Sequence, residues 1–341
     1  MNHFPKATVL VTGGGGFIGS HAAIAFLESG YSVVVLDNLS TGFRSAVPQE
    51  ALLYVGDIAD QKLVDTLILE HNIGAIIHFA GSVVVPESVR DPLKYYDNNT
   101  SKSRSLINSA VRAGVPHFLF SSTAAVYGIP DKMPASELSP TEPINPYGWS
   151  KLMTERMLAD ASAAYPMNFC ALRYFNVAGA DPKGRSGQST VGATHLIKVA
   201  TEAAVGKRSF VPIYGADYDT ADGTAVRDYI HVSDLAAAHV HALNRLVETP
   251  EKSLILNCGY GRGFSVLEVL DAVYRVSNVN IERRIEPRRP GDPASLISDN
   301  SKILATLPWR PTLDNLDIIV SDALAWERKL ADKGDLKGHK F

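Results

Sequence analysis

"TVLVTGGGGFIGSH" occupies residues 8–21. An apolar, β-branched run ends in Thr12. Gly13, Gly16 and Gly19 follow at GxxGxxG spacing, and a helix-forming run begins inside the motif. Small residues allow a tight turn there. They also let backbone N–H groups approach an anion at a helix N-terminus, as the pyrophosphate of a dinucleotide requires. A glycine pattern alone is weak; the strand before it, the helix after it and an acid downstream give it context. That acid is Asp37, at the end of the next apolar run and 24 residues after Gly13. A carboxylate there binds both hydroxyls of an adenosine ribose and repels a 2′-phosphate, which favours NAD over NADP. Asp57, at the end of the third run, is placed to contact adenine.

Further apolar runs fall at 32–38, 52–57, 75–81, 117–123 and 168–176, with helix-like stretches at 18–29, 60–71, 98–113 and 147–165 between them. The runs are apolar nearly throughout, as in strands buried on both faces. Alternation of strand and helix predicts an α/β fold with a doubly wound, Rossmann-type parallel sheet. After residue 177 the pattern changes. "AGADPKGRSGQSTVG" (178–192) reads as a long loop, and helices are predicted near 193–206, 233–247, 265–277 and 315–331. Ser233 or Asp234 is the expected N-cap of the second of these. "RSFVPIYG" and "NIERRIEP" read as short strands. Residues 1–177 are therefore expected to form the dinucleotide-binding domain and 178–341 mainly a smaller mixed α/β substrate domain, with 228–260 packing back on the first.

Composition narrows the function classes. The chain has 341 residues, 45% hydrophobic and 20% charged, with a net charge of −3. That balance gives no basic footprint for nucleic acid. No stretch approaches ~18 consecutive apolar residues, so no membrane span is expected. The N-terminus lacks a signal-peptide core, which makes the cytoplasm the expected location. Cys170 and Cys258 lie in apolar runs without metal-ligand spacing and read as buried strand thiols; a disulfide is not demanded. No metal site is expected. His239 and His241 are two apart on a predicted helix and do not share a face. Like His78 and His231, they read as structural.

"NPYGWSK" (145–151) carries the chemistry. Tyr147 and Lys151 are four apart, on one helix face. A phenol titrates near ~10, poorly matched to neutral pH. A cation one turn away favours the phenolate, so a lowered Tyr147 pKa is expected. "FSSTAAVYG" (120–128) offers Ser121, Ser122 and Thr123 at a strand's carboxyl end, where ligands bind in open α/β sheets. Thr123 is the choice for the hydroxyl that holds a substrate oxygen.

"HFAG", "PLKYYDNN", "SSTAAVYG", "PYGWSKLMTE", "LRYFNVAGADP", "DGTAVRDYIHVSDLA" and "RRPGDPA" occur in order between residues 78 and 294. With the glycine motif, the set resembles the UDP-glucose (UDP-galactose) 4-epimerases of the extended short-chain dehydrogenase/reductase superfamily. The resemblance implies a retained NAD, a UDP-sugar substrate and transient oxidation at C4′. It implies Tyr147 as base, Thr123 as its partner at the sugar and Lys151 as the residue tuning Tyr147. For the cofactor it implies Gly13, Gly16, Phe17, Ile18, Gly19, Asp37, Asn38, Asp57, Ile58, Phe79, Ala80, Gly81, Asn98, Ser121, Tyr147, Lys151 and Tyr174. For the substrate it implies Asn176, Arg227 and Arg289 at the UDP phosphates or sugar, Asp292 at the uridine ribose and Leu296 at the sugar wall. Taken singly, Asn98 and Asn176 would pass as turn or strand-end residues, and Arg227 as a surface partner of Asp228 or Asp222. A homodimer through helices 98–113 and 147–165 is also implied, although Leu106, Ile107 and Val111 serve equally as core.

Three positions depart from the family pattern. Val83 stands where some members carry a lysine near the nicotinamide phosphates, Trp149 where lysine is common, and Leu296 where a large or a small residue gates the sugar pocket. "PDKMP" and "PINPYG" also resemble relatives that epimerise UDP-pentoses, so hexose, N-acetylhexosamine and pentose stay open. A dehydratase would need an acid pair where Ala124 and Ala125 stand.

Overall fold

The computed structural model describes residues 7–249, 252–289 and 291–332. Residues 1–6 and 333–341, which the predicted domains include, lie outside the described residues. Strands β1 (Thr8–Thr12), β2 (Ser32–Asp37), β3 (Leu52–Val55), β4 (Ile73–His78), β5 (His117–Thr123), β6 (Asn168–Tyr174) and β10 (Leu254–Cys258) form one parallel sheet. Its order is β10-β6-β5-β4-β1-β2-β3. Neighbouring residues of each strand enter opposite cores. Val9, Val11, Val33, Val35, Ile77 and Leu172 face one side; Leu10, Val34, Leu36, Ile76, Phe120 and Ala171 face the other. This is why the strands read as unbroken apolar runs.

Helices α1 (Phe17–Glu28) and α8 (Val232–Glu248) contribute Phe26, Leu235 and Leu243 to the first core. Helices α2 (Gln61–Glu70), α5 (Lys102–Arg112) and α6 (Pro146–Ala164) contribute Leu67, Leu106 and Leu158 to the second. Leu106 and Ile107 are buried there, and Val111 packs against them. Those three residues of α5 are core. Short helices α3 (Val85–Arg90) and α4 (Pro92–Tyr95) and a π-turn at Tyr96–Ser101 lead into α5.

The sheet order reverses between β1 and β4, which opens a crevice at their carboxyl ends. Gly13 follows β1 with φ +73°, and a Cβ there would lie 2.6 Å from the Ala80 nitrogen that follows β4. The two loops at the reversal therefore touch, and only glycine fits the contact.

The remaining strands frame a second lobe. β9 (Val226–His231) is its axis. β7 (Asn176–Ala178) pairs with the second half of β9, and β11 (Gly263–Ser265) and β13 (Ser295–Leu296) flank the first half. β8 (Phe210–Tyr214) and β12 (Glu282–Glu286) form a parallel pair. Helices α7 (Leu196–Ala204), α9 (Val266–Ser277) and α11 (Leu316–Asp332) close a third core around Ile197, Val269 and Ile319. α10 (Ser301–Thr306) lies against the first core through Ile303.

The N-cap of α8 differs from expectation. His231 caps it, accepting the Ser233 N–H at 3.0 Å. Asp234 is already occupied by the Tyr260 hydroxyl at 2.6 Å and by the Thr312 and Leu313 amides. Cys170 and Cys258 are buried and free. They sit on adjacent strands, but Cys170 pairs with Leu254 and Cys258 with Tyr174, four positions apart in register.

Candidate active site

Helix α1 begins at Gly16 with no side-chain cap and no acid in its first turn. Its first N–H groups thus present partial positive charge without a protein anion to meet it. Asp37 closes the cradle from the side. Its carboxylate accepts the Gly15 N–H at 2.8 Å and the Leu39 N–H at 2.7 Å. A carboxylate has lone pairs beyond these two bonds, so it can still accept ribose hydroxyls. A Cβ on Gly42 would lie 3.0 Å from both Asp37 oxygens. The free helix end, the glycine contacts and the fixed carboxylate fit a dinucleotide without a 2′-phosphate.

The other predicted cofactor residues divide by role. Asp57 takes Lys102 at 2.8 Å, and Asn38 reaches it at 3.5 Å. Ile58 is buried in the core. Phe79 packs on His239, with ring centroids 4.9 Å apart. The Tyr174 hydroxyl bonds His239 and is buried. Val83 is exposed. Asn98 donates to the Ser82 hydroxyl at 3.0 Å. Its neighbour Asn99, which sequence reasoning did not select, ties the loop down. It accepts the Ser82 N–H at 2.7 Å and donates to Ser82 O at 2.9 Å and Ser150 Oγ at 3.0 Å.

Helix α6 starts with Asn145 as N-cap and Pro146 in its first turn. This fixes Tyr147 at the helix mouth with its phenol beside the Thr123 hydroxyl, which itself accepts the Ala125 N–H at 3.1 Å. One turn on, Lys151 is buried, its Nζ donating to Ser121 O at 2.8 Å and lying 4.9 Å from the Phe120 ring centre. A Cβ on Gly81 would be 3.7 Å from that Nζ. Tyr147, Lys151, Thr123, Ser121 and Gly81 therefore meet at one point of the crevice.

The electrostatics correct the expected direction. Burial raises the Tyr147 pKa above its usual value, and the Thr123 bond only partly opposes it. Burial also lowers Lys151 to about 8. Desolvation penalises both charged forms, and the lysine spends its hydrogen bond on a backbone carbonyl rather than on the phenol.

The predicted substrate residues gather on the second lobe. Asn176 pairs with Tyr229 across β7 and β9, and Arg227 pairs with Leu296 across β9 and β13. Arg227 forms an ion pair with Asp292, not with Asp228 or Asp222. Arg289 stacks 3.9 Å from the Tyr214 ring centre. Leu296 packs on the cluster of Tyr127 and Leu152, and Leu152 follows Lys151 on α6. His195 was missed. It is the N-cap residue of α7 and shares a cleft with Asn176 and Gln188. The Gln188 amide donates to its Nδ1 at 2.9 Å, which leaves the Nε2–H as a donor. Although the residue is exposed, its surroundings and then the Arg289 charge lower its pKa, which favours the neutral ring.

His78 lies between the Thr12 and Ser103 hydroxyls at 2.7 and 2.8 Å, and His231 also bonds Asp322 at 3.1 Å. Among the described residues no group of three His, Cys, Asp or Glu side chains could hold a metal ion.

Residues 9–259 match the NAD dependent epimerase/dehydratase family. The chain belongs to that family. A UDP-glucose 4-epimerase of Azospirillum brasilense is 54% identical over 322 residues, covering 94% of this chain and 92% of that one. The structure of an epimerase from Stenotrophomonas maltophila, with bound NAD and formylated UDP-arabinopyranose, superposes with TM-score 0.93. It is 38% identical and covers 96% of this chain and 100% of its own. The UDP-Glc/GlcNAc 4-epimerase of Campylobacter jejuni is 47% identical, with TM-score 0.83 over 95% of this chain and 100% of its own. The family's cofactor is NAD.

Proposed function

We propose that the chain interconverts UDP-glucose and UDP-galactose by transient oxidation at C4′. The observation that carries this reading is the junction of α6 with the end of β5. It puts a phenol, a hydroxyl and a buried amine beside the dinucleotide cradle. When bound, NAD supplies a reversible two-electron step at C4′. Tyr147 takes the 4′-OH proton as base and returns it after the 4-keto sugar has turned. Thr123 holds the same oxygen. Lys151 orients the ribose and favours the phenolate when its amine is charged. Arg227, Arg289 and His195 hold the diphosphate, Asn176 lies beside it, and Asp292 holds the uridine ribose. Planar guanidinium groups suit phosphate oxygens. Tight hold on UDP and few polar contacts on the sugar let the ring turn. Ala124 leaves no acid for dehydration, and this favours epimerisation.

We assign residues 1–177, with 228–260, to the cofactor and the rest mainly to UDP-sugar. We place the chain in the cytoplasm as a homodimer. Val89, Leu93, Trp149 and Met153 are exposed apolar side chains on α3, α4 and α6, and they suit a second copy of the chain. No helix among the described residues is long and apolar enough to cross a membrane.

Purified protein given UDP-galactose, UDP-GlcNAc or UDP-xylose in turn, with no added cofactor, is expected to form UDP-glucose from the first. Failure with all three after addition of NAD would overturn the reading.

A further inference from the structure

Glu155 is the third residue of the ladder that Tyr147 and Lys151 begin on α6. Each rung is tied to one of three consecutive residues of β5. The Tyr147 phenol lies beside the Thr123 hydroxyl, the Lys151 amine donates to Ser121 O at 2.8 Å, and the Glu155 carboxylate accepts the Ser122 hydroxyl. Glu155 is 2% exposed. Arg173, on β6 and 4% exposed, grips it with two donors, Nε at 3.0 Å to Oε1 and Nη2 at 2.6 Å to Oε2. A buried pair of this kind need not add net stability. Its geometry fixes a register instead.

The chain of bonds continues toward the second lobe. Arg173 Nη1 donates to the Tyr127 hydroxyl at 2.9 Å, which donates to Asn257 Oδ1 at 2.6 Å. Asn257 Nδ2 donates to Ala135 O at 2.8 Å, and the Ala135 N–H donates to Ile297 O at 2.9 Å. Ile297 follows Leu296, the residue at the sugar wall.

We infer that the Glu155–Arg173 pair, acting through Ser122, is a positioning device that holds the end of β5 in register with α6 and so sets the Tyr147–Thr123 geometry. The inference rests on the proposed role of Tyr147 as base. It predicts an effect on turnover rather than on UDP-sugar binding, because Arg227, Arg289 and His195 lie on other elements.

Two variants test it without leaving a buried charge alone. Ser122→Ala cuts the tie while the ion pair stays. The double variant Glu155→Met/Arg173→Met replaces the pair with apolar side chains of similar volume. Both are assayed as NAD-loaded enzyme beside Tyr147→Phe, with thermal unfolding as control. Both are expected to fold with little change in Tm and to lose about 10-fold or more in kcat, since small misplacements of a reacting group are costly. KM should stay within about 2-fold, as expected when ground-state binding is untouched. The rising pH limb of kcat should move upward, because a displaced Thr123 no longer lowers the Tyr147 pKa. A merely structural pair would not move that limb. Unchanged kcat and pH limb in both variants, with Tyr147→Phe inactive, would overturn the positioning role alone. Full activity of Tyr147→Phe would remove the base assignment and this inference with it.

Discussion

Along α6, Tyr147, Lys151 and Glu155 recur every four residues against three consecutive residues of β5, and the first two face the cofactor crevice. On the second lobe the groups assigned to UDP come from β7, the start of α7, β9 and the segment after β12. The first arrangement is local in sequence and stiffened by core on both faces of the sheet. The second is assembled from distant segments around β9. This difference suits the reaction proposed. The proton-transfer step needs one fixed geometry whatever the sugar, whereas the nucleotide is gripped from several sides and the sugar must turn. It implies that damage on α6 lowers turnover and damage on the second lobe weakens binding.

The sharpest way to break that division is Tyr147→Phe. Turnover should fall by about 10²–10⁴-fold, the range for loss of a general base, while UDP affinity by calorimetry stays near wild type. Near-normal turnover would remove the distinction. From the other side, Arg289→Ala and His195→Ala should each weaken UDP-sugar binding by roughly 10–100-fold, as loss of a hydrogen bond to a charged group does. The kcat at saturation should change far less. Equal losses in kcat would place these side chains in the reaction itself.

The contrast also decides what could be read from sequence. Tyr147 and Lys151 were legible because helical spacing puts them on one face. The glycine turn was legible because strand, turn and helix adjoin. Glu155 continues the same spacing, and that signal was available. His195 carried none: it is a lone histidine after a loop, and only the folding of 178–195 beside β9 brings it to Asn176 and Gln188. The direction of the Tyr147 pKa was also hidden, since spacing reports a neighbouring cation and not the burial that outweighs it.

Two smaller effects sharpen the account. Asp37→Asn removes the charge and leaves an acceptor for only one of the Gly15 and Leu39 N–H groups, which bond different carboxylate oxygens. The preference for NAD over NADP, measured by reconstitution, should fall by about 10-fold or more once repulsion of the 2′-phosphate is gone. An unchanged preference would assign discrimination elsewhere in the crevice. Thr123→Val tests the pH sign. The phenol must lose its proton to act as base, so kcat rises with pH. Burial raises the Tyr147 pKa and the Thr123 bond lowers it. Removing that bond should move the rising limb to higher pH and lower kcat at neutral pH. A limb that stays or moves down would contradict the assigned hydrogen bond.

The central claim is that oxidation and reduction occur at the same carbon without release of the sugar. UDP-galactose deuterated at C4′ and incubated with the NAD-loaded enzyme in ordinary water tests it directly. The UDP-glucose formed should retain its deuterium at C4′, because the hydride that leaves is the one that returns. Replacement of that deuterium by solvent hydrogen would contradict it.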